Sequence, residues 1–439
     1  MSRLGFAALA LTAVVAGHAG PAAAGATAKP RSNTLSYYYD GFEQSFVRPI
    51  TRATDAALLV RKLAGNRREA ANVDEHDQVR LPSTWWQPRL GFRPVTPEQM
   101  MLGPGSGGPA PGKLTVIKMK TQGVTPGFQI LDADSQKFAV KFDPPDYPEM
   151  ATAADVITCY LYWAAGYNAP ENSILQFRRE DLKISSKATY EDARGRKHPI
   201  TEADVDRILA RVHRGADGTF RAVASRFLPP KLGEWEYNGR RRDDPEDLIP
   251  HQHRRDVRGL WTLYAWTNNT DCSARNTYDA WVTENGRSFV RHYLIDFSGA
   301  MGSASIGPQS YRGGFEYLMD FSVAAGAIGT LGLKPPPWEH VVDPKLTSVG
   351  FIESRAFDPV SWRPFLPNPA FDERTDRDVR WGARIVAAFT DDHIRTAVAA
   401  GKFSDPRAAE YLTRVLIERR DKIARRWVGG NSIAGAPPR

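Results

Sequence analysis

Cysteine is nearly absent: the 439 residues hold only Cys159 and Cys272. Two thiols cannot make a disulfide framework, and neither stands in the paired spacing of a zinc motif. Cys159 falls on an apolar helical stripe, where a thiol packs as a small apolar group, and no histidine adjoins Cys272 to make it a nucleophile. Long apolar runs are as scarce. Beyond the N-terminus the longest candidate, Val323 to Leu333, is broken by three glycines and is too short to span a bilayer. No internal repeat is present. His251-x-His253 lacks carboxylate or cysteine partners, so a capping or surface role outweighs a metal site. Lysine and arginine exceed the acids by 58 to 50, a mild excess for this length and compatible with anionic substrates. The clusters Arg240-Arg241-Arg242 and Arg425-Arg426 are interleaved with acids, which predicts solvated faces and no nucleic-acid stripe.

An apolar content of 42% and a charged content of 25% are near the globular average, so most of the chain should fold, as one two-lobed domain or two ordinary ones. The N-terminus is separate. Arg3 precedes an apolar run from Leu4 to Val15, and Ala22-Ala23-Ala24 offers a cleavage point before Gly25. This predicts a signal peptide over 1–24 and export to the periplasm or beyond.

Residues 25–112 form an N-terminal extension, with a helical stretch from Ala56 to Leu63 and Trp85-Trp86 between Pro82 and Pro88. The two rings either brace the core or present a contact on a loop. Five glycines and three prolines between Gly103 and Gly112 predict a linker or surface loop. From 113 to 235 the pattern turns to strands: Leu114–Lys120, Phe128–Leu131, Lys137–Phe142, Ser173–Phe177 and Phe220–Leu228. Among them lies a helix with Ala153, Val156, Ile157, Tyr160, Leu161 and Ala164 on one stripe, Pro148 and Glu149 in its first turn and Gly166 at its stop. A second helix is expected from about Glu202 to Val212. From 236 to 428 helices dominate, the first carrying Val257, Leu260, Trp261 and Tyr264. Glu284-Asn285-Gly286-Arg287 between alternating runs predicts a hairpin. Thr390 caps a helix ended by Gly401, Asp405-Pro406 opens another, and residues 429–439 form a tail.

The chemistry centres on Asp271-Cys272-Ser273-Ala274-Arg275-Asn276 and Leu294-Ile295-Asp296-Phe297. An aspartate five residues before an asparagine, then an aspartate closing an apolar strand, suits phosphoryl transfer. Asp271 can orient a hydroxyl while Asn276 and Asp296 hold Mg²⁺ against the phosphates of ATP. Asp271 and Asn276 could instead belong to a self-capping Asx loop. Asp296 would be costly in a buried strand without a ligand. Upstream, Lys141 shares a strand face with Ala139. It can reach phosphate oxygens, with Ala139 leaving room for a flat base, or it can be a solvent-facing edge residue. Gly123 and Gly127 flank a turn that can cover phosphates. Glu149 can pair with Lys141, or serve only as a favourable acid in a helix first turn.

In this order, Gly123-Val124-Thr125-Pro126-Gly127-Phe128, Lys141-Phe142-Asp143-Pro144, Gly166-Tyr167-Asn168-Ala169-Pro170-Glu171, Asp243-Asp244-Pro245, the Pro250 to Arg258 run, Asn276-Thr277 and His292-Tyr293-Leu294-Ile295-Asp296-Phe297 resemble the protein-kinase-like superfamily. The chain looks closest to a group of exported bacterial members, distantly similar to HipA-type, phosphatidylinositol and CotH kinases. The resemblance implies an α+β, two-lobed protein-kinase-like fold, with an antiparallel-sheet N-lobe carrying one main helix and a mostly helical C-lobe. It implies nucleotide binding by Lys141, a base-like role for Asp271, and Mg²⁺ on Asn276 and Asp296. The implied activity is ATP-dependent phosphorylation of a hydroxyl on a protein, lipid or carbohydrate. The alternative is a catalytically inactive envelope scaffold. The sequence departs from the pattern in three places. Asn269-Thr270-Asp271 replaces His-Arg-Asp, Asp-Phe-Ser replaces Asp-Phe-Gly, and Glu149 follows Lys141 so closely that Asp143 or Asp146 could take its place.

Overall fold

The computed structural model describes residues 28–33, 47–54, 60, 68–105, 107–119, 126–192, 194–304, 306–320, 323, 329, 333 and 335–429. The expected signal peptide, most of the 56–63 stretch, Gly123, most of 323–333 and nearly all of the tail lie outside them. Among the described residues no helix is long and apolar enough to cross a membrane.

The chain folds as α+β, in two lobes with separate cores. A short helix α1, Pro97–Leu102, precedes the strands β1, Leu114–Met119, β2, Gly127–Leu131, and β3, Lys137–Phe142. These three form an antiparallel meander. Helix α2, Met150–Ala164, leads to β4, Asn172–Phe177, then β5, Leu182–Glu191, β6, Lys197–Pro199, helix α3, Glu202–Leu209, and β7, Phe220–Arg226. The seven strands form one sheet in the order β4-β7-β3-β2-β1-β5-β6, antiparallel except where β1 meets β5. Strand alternation sends Phe138, Val140 and Phe142 into one core with Val205, Ile208 and Leu209 of α3. The opposite face carries α2, whose Val156 and Tyr160 pack on Ile174 and Val223.

The second lobe is built on helix α4, Arg255–Thr267, with α5, Asp376–Ala387, α6, Asp391–Ala399, and α7, Pro406–Trp427. A small sheet joins it: β8, Lys231–Gly233, β9, Thr277–Glu284, and β10, Arg287–Leu294. The β9–β10 turn has φ of 50° at Asn285 and 76° at Gly286, the left-handed pair that a two-residue hairpin demands. The strand expected to run through Asp296 stops at Leu294: Ile295 N still donates to Asn276 O (2.9 Å) in register, but Asp296 turns to φ 56° and ends the extended backbone. Likewise β7 stops at Arg226, ahead of Pro229 and Pro230.

The described part of the N-terminal extension contributes to this core. Trp85, Trp86 and Met100 are buried in it. The Trp86 indole N–H donates to Ala165 O at 2.8 Å. A Cβ on Gly166 would lie 2.2 Å from that indole nitrogen, so the residue stopping α2 must be glycine. Both tryptophans therefore brace the lobe, which removes them as an exposed contact. The Gly/Pro-rich stretch also packs down, as Gly108 N donates to Glu171 Oε1 (2.8 Å). Arg241 turns inward to Asp279 (3.2 Å), unlike its solvated neighbours. Both cysteines are free and buried.

Candidate active site

Three elements converge on Lys141. Strand β3 pairs it with Gly127 of β2 and Val223 of β7, and alternation turns it, with Ala139, toward the α2 face of the sheet. The β9–β10 hairpin delivers Asp296. Lys141 Nζ lies 2.8 Å from Asp296 Oδ2, and Ser298 Oγ donates to Asp296 Oδ1 at 2.8 Å. The third element is α2, which contributes Asp155.

Asp155 was not legible as a site residue. It is fully buried among apolar neighbours, fourteen positions after Lys141. Its Oδ1 accepts from Asn172 Nδ2 (2.8 Å) and from Phe297 N (3.2 Å), while its Oδ2 is buried without a hydrogen bond. One carboxyl thus ties the helix to β4 and to the residue after Asp296. Burial, reinforced by Asp296, raises its pKa to about 6 against the pull of Lys141 and the two hydrogen bonds. Burial lowers the pKa of Lys141, but Asp296 and Asp155 outweigh it, so the ammonium is held charged. The available signal was an acid inside an otherwise apolar helix, which is costly unless paired.

Glu149 does not take this role. It sits ahead of α2 with φ 72°, and its carboxylate accepts from Ser404 N at 3.0 and 3.2 Å. Asp143 is no substitute: it accepts from Thr152 N (2.8 Å) and Thr152 Oγ1 (2.7 Å), anchoring the first turn of α2. Asp146 is exposed. At Gly127 a Cβ would lie 2.2 Å from Val140 O, so strand approach already accounts for that glycine. Gly123 lies outside the described residues.

Asp271 is exposed on the loop after α4, and Asn276 Nδ2 donates to its carbonyl (3.0 Å). A Cβ added to Gly299 would stand 3.2 Å from Asp271 Cβ, so the loop opened by Asp296 lies against Asp271. Gln309 clasps both segments, accepting from Thr270 Oγ1 (2.9 Å) and donating to Gly299 O (2.6 Å). Cys272 is no nucleophile here, since burial and then Asp271 push its thiol pKa well up.

The donor set fits a hard divalent cation. The Asn276 amide nitrogen is committed to Asp271 O, which leaves Oδ1 as its presented atom. The Ile295–Asn276 backbone bond holds the two ends of the hairpin side by side, with Asp296 next in the chain. One carboxylate and one amide oxygen, completed by phosphate and water, is an arrangement Mg²⁺ accepts.

No protein-family model matches the sequence, and no characterised protein matches it significantly. Among solved structures the chain is similar to the Golgi casein kinase (9% identity, TM-score 0.34, 73% of each chain covered). With Mn/ADP bound, the Golgi casein kinase aligns over 87% of this chain and 88% of its own (9% identity, TM-score 0.35). The proinflammatory kinase CtkA of Helicobacter pylori aligns at 11% identity and TM-score 0.36, over 72% of this chain and 100% of its own.

Proposed function

We propose that this chain is an exported, kinase-like phosphotransferase that uses ATP and Mg²⁺ to modify a hydroxyl on a protein, lipid or carbohydrate. The observation that carries the reading is the Lys141–Asp296 pair, 2.8 Å apart, backed by a buried Asp155 that also holds Phe297 N. A strand lysine, a helix acid and an aspartate before phenylalanine are parts that protein-kinase-type phosphoryl transfer uses together. Lys141 is the group for phosphate oxygens, and Asp155 supports its charge when a ligand draws Asp296 away. Asn276 and Asp296 would hold the cation, which when bound would neutralise phosphate charge. Asp271 lies beside the same loop and is the group to orient the acceptor hydroxyl and take its proton as the new O–P bond forms and the bond between the γ-phosphorus and its bridging oxygen breaks, with ADP leaving. Arg3, the apolar run from Leu4 to Val15 and the small residues before Gly25 support the export part of the reading.

Thermal denaturation with Mg²⁺ and ATP tests this, because a ligand that binds only the native state raises the midpoint. We expect a shift in the native chain and none in Asp296→Ala. Asp271→Ala should keep the shift and lose turnover by about 10²-fold or more. No shift with any nucleotide would overturn nucleotide binding, and unchanged turnover in Asp271→Ala would overturn its role.

A further inference from the structure

A second cleft, of about 380 Å³, opens beside the linker Phe227-Leu228-Pro229 that joins the large sheet to β8. It shares no lining residue with the Lys141–Asp296 site, and its volume is in the range of small-ligand pockets. We propose that it binds a small organic oxyanion, a phosphate monoester or a carboxylate, independently of the nucleotide.

Its walls carry three guanidinium groups and one carboxylate, Glu171. Arg226 is matched by Glu171 (3.1 Å) and Arg291 by Glu284 outside the lining (2.6 Å). Among the described residues no acid pairs with Arg89. Only 7% exposed, it donates to the carbonyls of Trp163 (2.6 Å) and Tyr167 (3.1 Å) and to Gln87 Oε1 (3.0 Å), none of them an acid. Burial, then repulsion from Arg93 and Arg291, lowers its pKa to about 10, as expected of a cation lacking a counter-charge. An oxyanion would supply the counter-charge that Arg89 lacks, since guanidinium forks match phosphate and carboxylate geometry. The rest of the wall suits an organic body: the Trp163 ring lies 4.5 Å from the Arg89 guanidinium, and Phe227 is 41% exposed. Trp163 lies near the end of the helix carrying Asp155, and Tyr293, also lining the cleft, precedes Asp296 by three residues. An occupant would therefore link the two elements that set the Lys141 pair.

The test is calorimetric titration of the full chain with phenyl phosphate and with benzoate, at constant ionic strength. Native protein and the variants Arg291→Gln, Phe227→Asp and Asp296→Ala are compared. We expect saturable binding of at least one probe below about 10 mM. It should be weakened roughly tenfold in Arg291→Gln and in Phe227→Asp, which brings a negative charge to the rim. Binding should be unchanged in Asp296→Ala. Phenyl phosphate alone would identify a phosphate site, and benzoate alone a carboxylate site. Phe227→Asp alters an exposed rim residue and serves if Arg291→Gln does not fold. Absence of saturable binding, binding untouched in the folded rim variants, or binding lost in Asp296→Ala would each overturn the proposal.

Discussion

Asp155 has its carboxyl fully buried, with Asn172 Nδ2 and Phe297 N on Oδ1 and the charges of Lys141 and Asp296 acting on it. Folding raises its pKa from the ordinary 3.8 to about 6, chiefly by burial, so the folded state binds a proton where the unfolded chain has released it. Stability should therefore fall as pH rises from about 4 to about 6, because the native state then holds more protons than the unfolded one. Asp155→Asn removes this titration. The denaturant midpoint of the native chain, relative to that variant, should be higher at about pH 4 than at pH 7. An equal gap at both values would show that Asp155 does not titrate in this window. Lys141 and Asp296 were legible from strand alternation and from an acid after an apolar run. Their buried partner was not, because a helix records only its own stripe and not the cation on the strand it faces.

At the scale of elements, one join in the second lobe is a buried charged one. Arg255 Nε and Arg258 Nη1 on α4 meet Asp378 on α5 at 2.6 and 3.2 Å, and all three side chains are buried. Asp378 also accepts from Thr375 N (2.7 Å), closing the capping box that starts α5. Asp378→Ala would leave the buried Arg258 without its carboxylate and Arg255 with Asp77 alone, and would remove a cap, and should cost about 3 kcal/mol in urea denaturation. A loss under about 1 kcal/mol would mean that the arginines find other partners. The elements themselves were readable in advance: α4 by its apolar stripe, the β9–β10 hairpin by Asn-Gly, and the helix starts by Thr390 and Asp405. Local chemistry sets these features within a turn or two of chain. That Asp378 answers Arg255 was hidden, since 123 positions separate them.

For the whole molecule, the export reading makes a plain prediction. Expressed with its first residues intact in a bacterial host, the chain should reach the envelope fraction with its mature N-terminus at or near Gly25. An uncleaved chain in the cytoplasm would remove export from the proposed function. The sequence by itself determined the α+β class, the succession of strands before helices and the chemistry offered by Lys141, Asp271, Asn276 and Asp296. Periodicity, turn residues and acid spacing are local properties that survive in one dimension. Only the tertiary structure decided that Asp155 and not Glu149 backs Lys141, and that Glu149 answers Ser404 instead. It also decided that Trp85 and Trp86 close the second lobe, and that Arg89 lines a cleft whose single carboxylate, Glu171, is taken up by Arg226. Each depends on which distant groups share a low-dielectric space, and burial, which prices a charge or a ring, exists only once the chain has packed.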